Sequence, residues 1–327
     1  MRTLITGGAG FIGSHLAERL LAEGHQVSVI DNLSTGSFSN IRHLENRQNF
    51  RFVIGTILDE QLMEQLVDAC DEVVHLAAVV GMEYVLDHPL QSLTTNIRGT
   101  EIVLEKANRG KKKVIIASTS EIYGKNGERP FKEDDDRVLG PTRMGRWSYA
   151  TTKAVDEFLA LAYWRERKVP VIVVRLFNVI GPRQTGQYGM VVPRFVKQAL
   201  SNRPITVYGD GEQSRCFADI SDVLVGLLEL ANHPDAVGEI FNLGSEEEIR
   251  INDLARKIKE MTHSASPIEH IPYKKAYGSS YEDLKYRVPD LTKIRNLLGY
   301  EPKVTLDQAL RKIIDFYQAL SSRPQSF

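Results

Sequence analysis

Tyr149 and Lys153 stand four residues apart in the run Ser148-Tyr149-Ala150-Thr151-Thr152-Lys153. On a helix this spacing puts both side chains on one face. A free phenol titrates at about pH 10 and is a poor base at neutrality. A nearby ammonium favours the phenolate, which can take a proton from a hydroxyl group. A Y-x-x-x-K pair also recurs by chance, so its meaning depends on what accompanies it. Upstream, Ser118-Thr119-Ser120-Glu121-Ile122-Tyr123-Gly124 offers hydroxyls and a carboxylate.

The second chemical signal is Thr6-Gly7-Gly8-Ala9-Gly10-Phe11-Ile12-Gly13. Gly8, Gly10 and Gly13 fit G-x-G-x-x-G, and Gly7, Gly10 and Gly13 fit a three-residue spacing. Without side chains, the backbone can approach a pyrophosphate at the helix N-terminus, where free N–H groups and the dipole favour anions. Asp31 follows Gly13 by 18 residues, with Asn32 after it. A carboxylate there accepts hydrogen bonds from both ribose hydroxyls of NAD and repels the 2′-phosphate of NADP; no arginine stands beside it.

These residues need a scaffold, and the apolar pattern supplies one. Residues 3–6, 27–30, 52–54, 73–76, 114–117 and 171–176 read as buried strands. Amphipathic stretches at 12–22, 60–69 and 93–108 lie between them. Such alternation predicts an α/β fold: a doubly wound parallel Rossmann sheet with ligands at the strands' carboxyl ends. After residue 177 glycines and prolines interrupt the pattern, and helices return at 222–230, 251–261 and 306–320. The expected division is a nucleotide-binding domain of residues 1–176 plus about 217–243. Residues of about 177–216 and 244–327 then form a smaller, mostly α substrate lobe.

Composition narrows the function classes. The 327 residues carry 41 basic and 42 acidic side chains, so no nucleic-acid partner is expected. Two cysteines, Cys70 and Cys216, form no CxxC, and the eight histidines lack ligand spacing; no metal is expected. The acidic run Glu133-Asp134-Asp135-Asp136 reads as a solvated loop. No leader pattern and no apolar run of about 18 residues occurs, so a cytoplasmic protein without membrane contact is expected.

Together the motifs resemble the extended short-chain dehydrogenase/reductase family: the nucleotide-sugar epimerases, dehydratases and decarboxylases. The resemblance also rests on His75-Leu76-Ala77-Ala78, on Asn96 within residues 95–100, and on residues 175–183 and 208–217. It implies that Thr119 completes a triad with Tyr149 and Lys153. It implies NAD contacts from Leu76, Ala77, Ala78 and Asn96, although His75 and Asn96 also suit structural roles. Thr56 and Ile57 stand where the family commonly has an aspartate contacting adenine. Asn178, Val192, Arg215 and Arg287 would hold the substrate diphosphate or nucleotide.

The resemblance also implies a homodimer joined by a four-helix bundle. Leu93, Ile97, Val103, Leu104, Val155, Phe158 and Leu159 are the candidates for its surface.

The reaction hinges on Thr119-Ser120-Glu121. A 4,6-dehydratase of dTDP-glucose typically carries an acid where Ser120 stands. Thr-Ser-Glu looks like UDP-glucuronate decarboxylases and GDP-mannose 4,6-dehydratases, the latter generally NADP enzymes, which Asp31 opposes. Residues 146–149, Arg215-Cys216-Phe217, Tyr277-Gly278, Glu282-Asp283 and Arg287 echo the decarboxylases. There Glu121, Ser120 and Arg287 would serve loss of CO2 from UDP-glucuronate. UDP-sugar 4-epimerisation and nucleotide-sugar 4,6-dehydration remain alternatives, as does a non-catalytic NAD sensor on the same fold. Calorimetric titration of ligand-free protein should show NAD binding more tightly than NADP; equal or tighter NADP binding would overturn the role given to Asp31.

Overall fold

Aliphatic runs without polar alternation are stable as strands only where both faces are covered. The computed structural model describes residues 1–186, 189–277 and 284–322. Gly278, Glu282 and Asp283 lie outside the described residues. In chain order the strands begin with β1 (Arg2–Thr6), β2 (Gln26–Asp31), β3 (Phe50–Ile54), β4 (Glu72–His75), β5 (Lys113–Thr119), β6 (Val171–Leu176) and β7 (Val179–Ile180). They continue with β8 (Ile205–Tyr208), β9 (Ser214–Cys216), β10 (Ala218–Asp219), β11 (Ile240–Leu243), β12 (Glu248–Arg250) and β13 (Ile268–Ile271). One sheet of seven strands has the order β11-β6-β5-β4-β1-β2-β3, every pairing in it parallel. The doubly wound α/β expectation holds.

Helices α1 (Phe11–Ala22), α2 (Glu60–Asp68), α3 (Met82–Asp87), α4 (Pro89–Gly110) and α5 (Trp147–Arg167) fall between the early strands. The chain continues through α6 (Val191–Leu200), α7 (Ile220–Asn232), α8 (Ile251–Met261), α9 (Tyr273–Tyr277), α10 (Thr292–Leu298) and α11 (Leu306–Ser321). Leu16 and Leu20 of α1, Val223 and Leu227 of α7 and Ile294 of α10 share one core with Ile5 and Val29 of the sheet. Met63 and Leu66 of α2, Ile102 of α4 and Ala160 of α5 share another with Leu4 and Val73. A third core joins Phe195 of α6, Leu254 of α8 and Leu310 of α11 around Val207 of β8. Leu291, Ile294 and Tyr300, which the sequence assigned to the smaller lobe, pack into the first of these cores.

Two expectations change. Val103 and Leu104 are fully buried in the sheet-covering core, so neither is available to a partner subunit. Leu93 and Phe158 are exposed, with Leu90 beside Leu93 exposed as well. Glu133 is not part of a solvated loop. It is half-buried, accepts the Asn242 N–H at 2.8 Å, and burial pushes its carboxyl above the ordinary range.

A buried ion pair ties α5 to the sheet edge that carries the site. Arg175 of β6 donates to Glu157 of α5 at 2.8 Å and to the Tyr123 hydroxyl at 2.9 Å. The Ser118 hydroxyl donates to the same Glu157 at 2.5 Å. Removing one partner from such a pair leaves a charge in the interior, which costs about 3–5 kcal/mol. Arg175→Met should therefore lower stability by about that amount in urea unfolding, whereas an unchanged midpoint would show that Glu157 does not depend on its partner.

Candidate active site

The strand order reverses between β1 and β4, which run in register as Thr6↔His75. The chain leaves β1 toward one side and β4 toward the other, so a cleft opens between their carboxyl ends. Gly7 turns the chain out of β1 with φ +71°, a left-handed conformation that glycine adopts without penalty. A Cβ on Gly7 would come within 2.9 Å of the Ala77 backbone, and one on Gly13 within 2.5 Å of the Gly7 carbonyl oxygen. The turn after β1, the start of α1 and the loop after β4 thus meet with no room for a side chain.

Side chains of Asp59, Asp219 and Thr305 cap α2, α7 and α11, but none caps α1 at Gly10. Its first amides are left to face an anion. Asp31, at the end of β2, accepts the N–H groups of Leu33 at 2.8 Å and Ala9 at 3.0 Å. Burial pushes its carboxyl up from the ordinary range, and those two donors pull it part of the way back. The glycine cradle, the uncapped helix and the buried acid fit a dinucleotide. Gly7, Gly10 and Gly13 would take its pyrophosphate and Asp31 the adenosine ribose.

A cavity of about 480 Å³ runs from this cradle to the smaller lobe. Phe11, Ile12, Asn32, Thr56, Ile57, Leu76, Ala77 and Ala78 line it, as do Gly7, Gly10, Gly13 and Asp31. Thr119, Ser120, Glu121, Tyr149, Asn178, Val192, Arg215 and Arg287 line it too. Asn178 sits in a left-handed turn after β6, with φ +30°, and its amide donates to the Cys216 carbonyl at 2.8 Å. Arg215 of β9 is buried and donates to the Ser214 carbonyl at 2.7 Å. Among the described residues, no group of three His, Cys, Asp or Glu side chains gathers as a metal site. No helix among them is long and apolar enough to cross a membrane.

β5 ends at Thr119 and tightens into a short turn, Ser120–Tyr123, which fixes the polar wall. The Thr119 hydroxyl accepts the Glu121 N–H at 3.2 Å and hydrogen-bonds to Tyr149. Glu121 Oε1 accepts from Arg287 Nη1 at 3.2 Å, and its Oε2 stands 3.6 Å from Arg146 Nη2. Burial raises the Tyr149 phenol above its ordinary range. The negative charges of Glu121 and Asp156 raise it further, while Thr119 and Arg287 partly offset them.

Two of the expected residues are placed differently. Lys153 shares helix α5 with Tyr149, but its ammonium does not line the cavity. It donates to Asp156 at 2.6 Å, with both side chains buried. With Lys153 paired to Asp156, the phenol of Tyr149 is raised rather than lowered: burial, Glu121 and Asp156 outweigh the groups that oppose them. Asn96 does not line the cavity either. It accepts the Val79 N–H at 2.7 Å and donates to Thr152 at 3.2 Å, so it pins the loop after β4. His75 is structural, as the alternative reading had it: it lies between Thr6 at 2.8 Å and Thr100 at 3.1 Å, and burial pushes its pKa down to about 3.

Arg146, which opens the segment Arg146-Trp147-Ser148-Tyr149, is a further site residue that its sequence context does not mark. Arg146 is 2% exposed, lines the cavity and stacks on Trp147 with 4.8 Å to the ring centroid. An arginine at a helix start is normally a solvent residue, and nothing local showed that this one turns inward. Asp156 was missed for the same reason.

A family model described as GDP-mannose 4,6 dehydratase matches residues 4–313. The chain is 43% identical to a UDP-N-acetyl-alpha-D-glucosaminuronate decarboxylase of Bacillus cytotoxicus, over 98% of this chain and 99% of that one. It is 37% identical to UDP-glucuronic acid decarboxylase 1 of Xenopus tropicalis, over 97% of this chain and 72% of that one. The fold superposes with TM-score 0.88 and 30% identity on UDP-glucuronic acid 4-epimerase from Bacillus cereus, solved with UDP-glucuronic acid and NAD; 98% of this chain and 100% of that one are covered. With TM-score 0.85 and 27% identity it matches a dTDP-glucose 4,6-dehydratase from Bacillus anthracis solved with NAD, over 98% of this chain and 97% of that one. A match of this extent, on the same doubly wound sheet, makes the chain a member of the GDP-mannose 4,6 dehydratase family of extended short-chain dehydrogenase/reductases, enzymes that remodel nucleotide sugars.

Proposed function

We propose that the protein decarboxylates a UDP-linked uronic acid through transient oxidation at C4, with NAD as its cofactor. The observation that carries this reading is Glu121, a carboxylate in the cavity wall beside Thr119 and Tyr149, held by Arg287 at 3.2 Å. Epimerisation at C4 moves no proton at C5 and gives such a group no task. Dehydration of the dTDP-glucose type calls for an acid where Ser120 stands. Support also comes from the relatives at 43% and 37% identity, both named decarboxylases of UDP-uronates. Structures of neighbours solved with NAD support the cofactor.

Bound NAD supplies the hydride acceptor. Tyr149, with Thr119 hydrogen-bonded to it, takes the proton of the C4 hydroxyl as the phenolate, which the positive charge of a bound nicotinamide ring would favour over the phenol. The uronate is then a β-keto acid. Its C5–C6 bond breaks, CO2 leaves, and the electron pair moves onto the C4 oxygen as an enolate. Tyr149 and Thr119 face that oxygen and stabilise the charge. A proton must next reach C5, and Glu121 is the acid–base group that the wall offers beside Tyr149; the hydride then returns to C4 and Tyr149 gives its proton back to the C4 oxygen, which makes the oxidation transient. Arg215, Arg287 and Asn178 are proposed to hold the diphosphate and nucleotide.

For assembly, the proposal is a homodimer through α4 and α5, whose exposed Leu90, Leu93 and Phe158 are unusual on a solvated face. Light scattering at micromolar concentration should give twice the chain mass; a monomer mass would remove the dimer.

Incubation with NAD and either UDP-glucuronate or UDP-N-acetylglucosaminuronate, read by mass spectrometry, should show loss of one CO2 from at least one of them. An isomeric product of unchanged mass would favour 4-epimerisation. Tyr149→Phe should cut turnover on the order of a hundred- to ten-thousandfold, since the proton acceptor is gone. Glu121→Gln should keep substrate affinity and slow turnover by roughly a hundredfold. Full turnover in Glu121→Gln, with Tyr149→Phe inactive, would transfer the assignment to an epimerase.

A further inference from the structure

The charge that the catalytic pair needs is not delivered by the four-residue spacing alone. Lys153 Nζ lies inside the protein, bonded to Asp156 Oδ2 at 2.6 Å, in an ion pair within one turn of α5. Asp156 is fully buried. Burial raises its carboxyl above the ordinary range, and Lys153 and the Thr100 hydroxyl, which faces it, oppose that rise. The neighbouring carboxylate of Glu157 adds to the rise and is itself paired with Arg175.

Behind Asp156 runs a line of polar groups with one consistent direction. The Ala77 N–H donates to Thr6 Oγ1 at 3.1 Å. Thr6 Oγ1 meets His75 Nδ1 at 2.8 Å, and His75 Nε2 meets Thr100 Oγ1 at 3.1 Å. A carboxylate only accepts, so the Thr100 proton faces Asp156. His75 Nε2 must then carry the ring proton, and Nδ1 must accept from Thr6. With its pKa pushed down to about 3, the ring stays neutral and keeps this tautomer. The line starts at Ala77, in the loop that lines the cofactor cavity, and ends at the anion holding Lys153.

We propose that Asp156 is a positioning residue: it fixes the Lys153 ammonium for the nicotinamide half of the cofactor. The proposal rests on the reading that the cleft binds NAD. Asp156 also acts on Tyr149 directly: after burial, the charges of Glu121 and Asp156 raise the phenol, and Thr119 and Arg287 oppose them.

The test is a double-substitution cycle with two readouts. Calorimetric NAD affinity is measured for wild type, Asp156→Asn, Lys153→Met and the double variant. If Asp156 acts through Lys153, Asp156→Asn should weaken NAD about tenfold in the wild-type background and less than twofold in the Lys153→Met background. Equal losses in both backgrounds, or no loss in either, would overturn the proposal. The second readout uses ligand-free protein. Asp156→Asn strands a buried ammonium, so its urea midpoint should fall below that of Lys153→Met/Asp156→Leu, which buries no charge. Midpoints ordered the other way would show that Asp156 does not hold the ammonium. Wild-type protein that binds no NAD would instead refute the cofactor reading, and the stability comparison would still decide the ion pair.

Discussion

The rest of the site depends on how closely the loops after β1 and β4 approach one another. Gly7 touches the Ala77 backbone with no space for a Cβ, and Gly13 closes on Gly7 from the start of α1. That approach is possible because β1 and β4 are adjacent, parallel and in register at Thr6↔His75. It sets the uncapped end of α1, the Ala77–Ala78 loop and Asp31 around one cleft. Interiors packed at this density do not yield by an ångström without disturbing their neighbours. A side chain at Gly7 would shift the cradle and the polar line through Thr6 and His75 together.

A second layer of the design is the pairing of buried charge. Arg175 with Glu157, Lys153 with Asp156, and Glu121 between Arg287 and Arg146 all sit where a lone charge would be expensive. The first joins β6 to α5, the second lies within one turn of α5, and the third joins the segment before α10 and the start of α5 to the turn after β5. Stability and chemistry therefore draw on the same contacts. Burial that strengthens these pairs also opposes ionisation of Tyr149.

The substrate end is assembled from distant chain. Asn178 follows β6, Val192 lies in the first turn of α6, Arg215 lies on β9, and Arg287 comes from the segment before α10. These converge because the third core, around Phe195, Leu254 and Leu310, fixes the smaller lobe above the carboxyl ends of the sheet. A family that keeps the sheet and the triad can change reaction by changing this wall, and here the wall brings Arg287 and Arg146 to Glu121.

Much of this was legible in the residues themselves. Continuous aliphatic runs determine buried parallel strands, and glycines between a strand and a helix determine a phosphate cradle, because both follow from local chain physics. The positions of Gly7, Gly13, Asp31 and Tyr149 in the cavity needed no more than that and the order of the motifs, while Thr119 rested on the family resemblance. What only the tertiary structure decided was where long charged side chains point. Lys153 could face Tyr149 or Asp156, Arg146 could face solvent or Glu121, and Asn96 could face a cofactor or the Val79 backbone. Spacing along a helix fixes the face on which a side chain starts, but not which of several partners its flexible end meets. That choice is made by desolvation and by partners supplied from other elements, and neither is written within any one stretch of sequence.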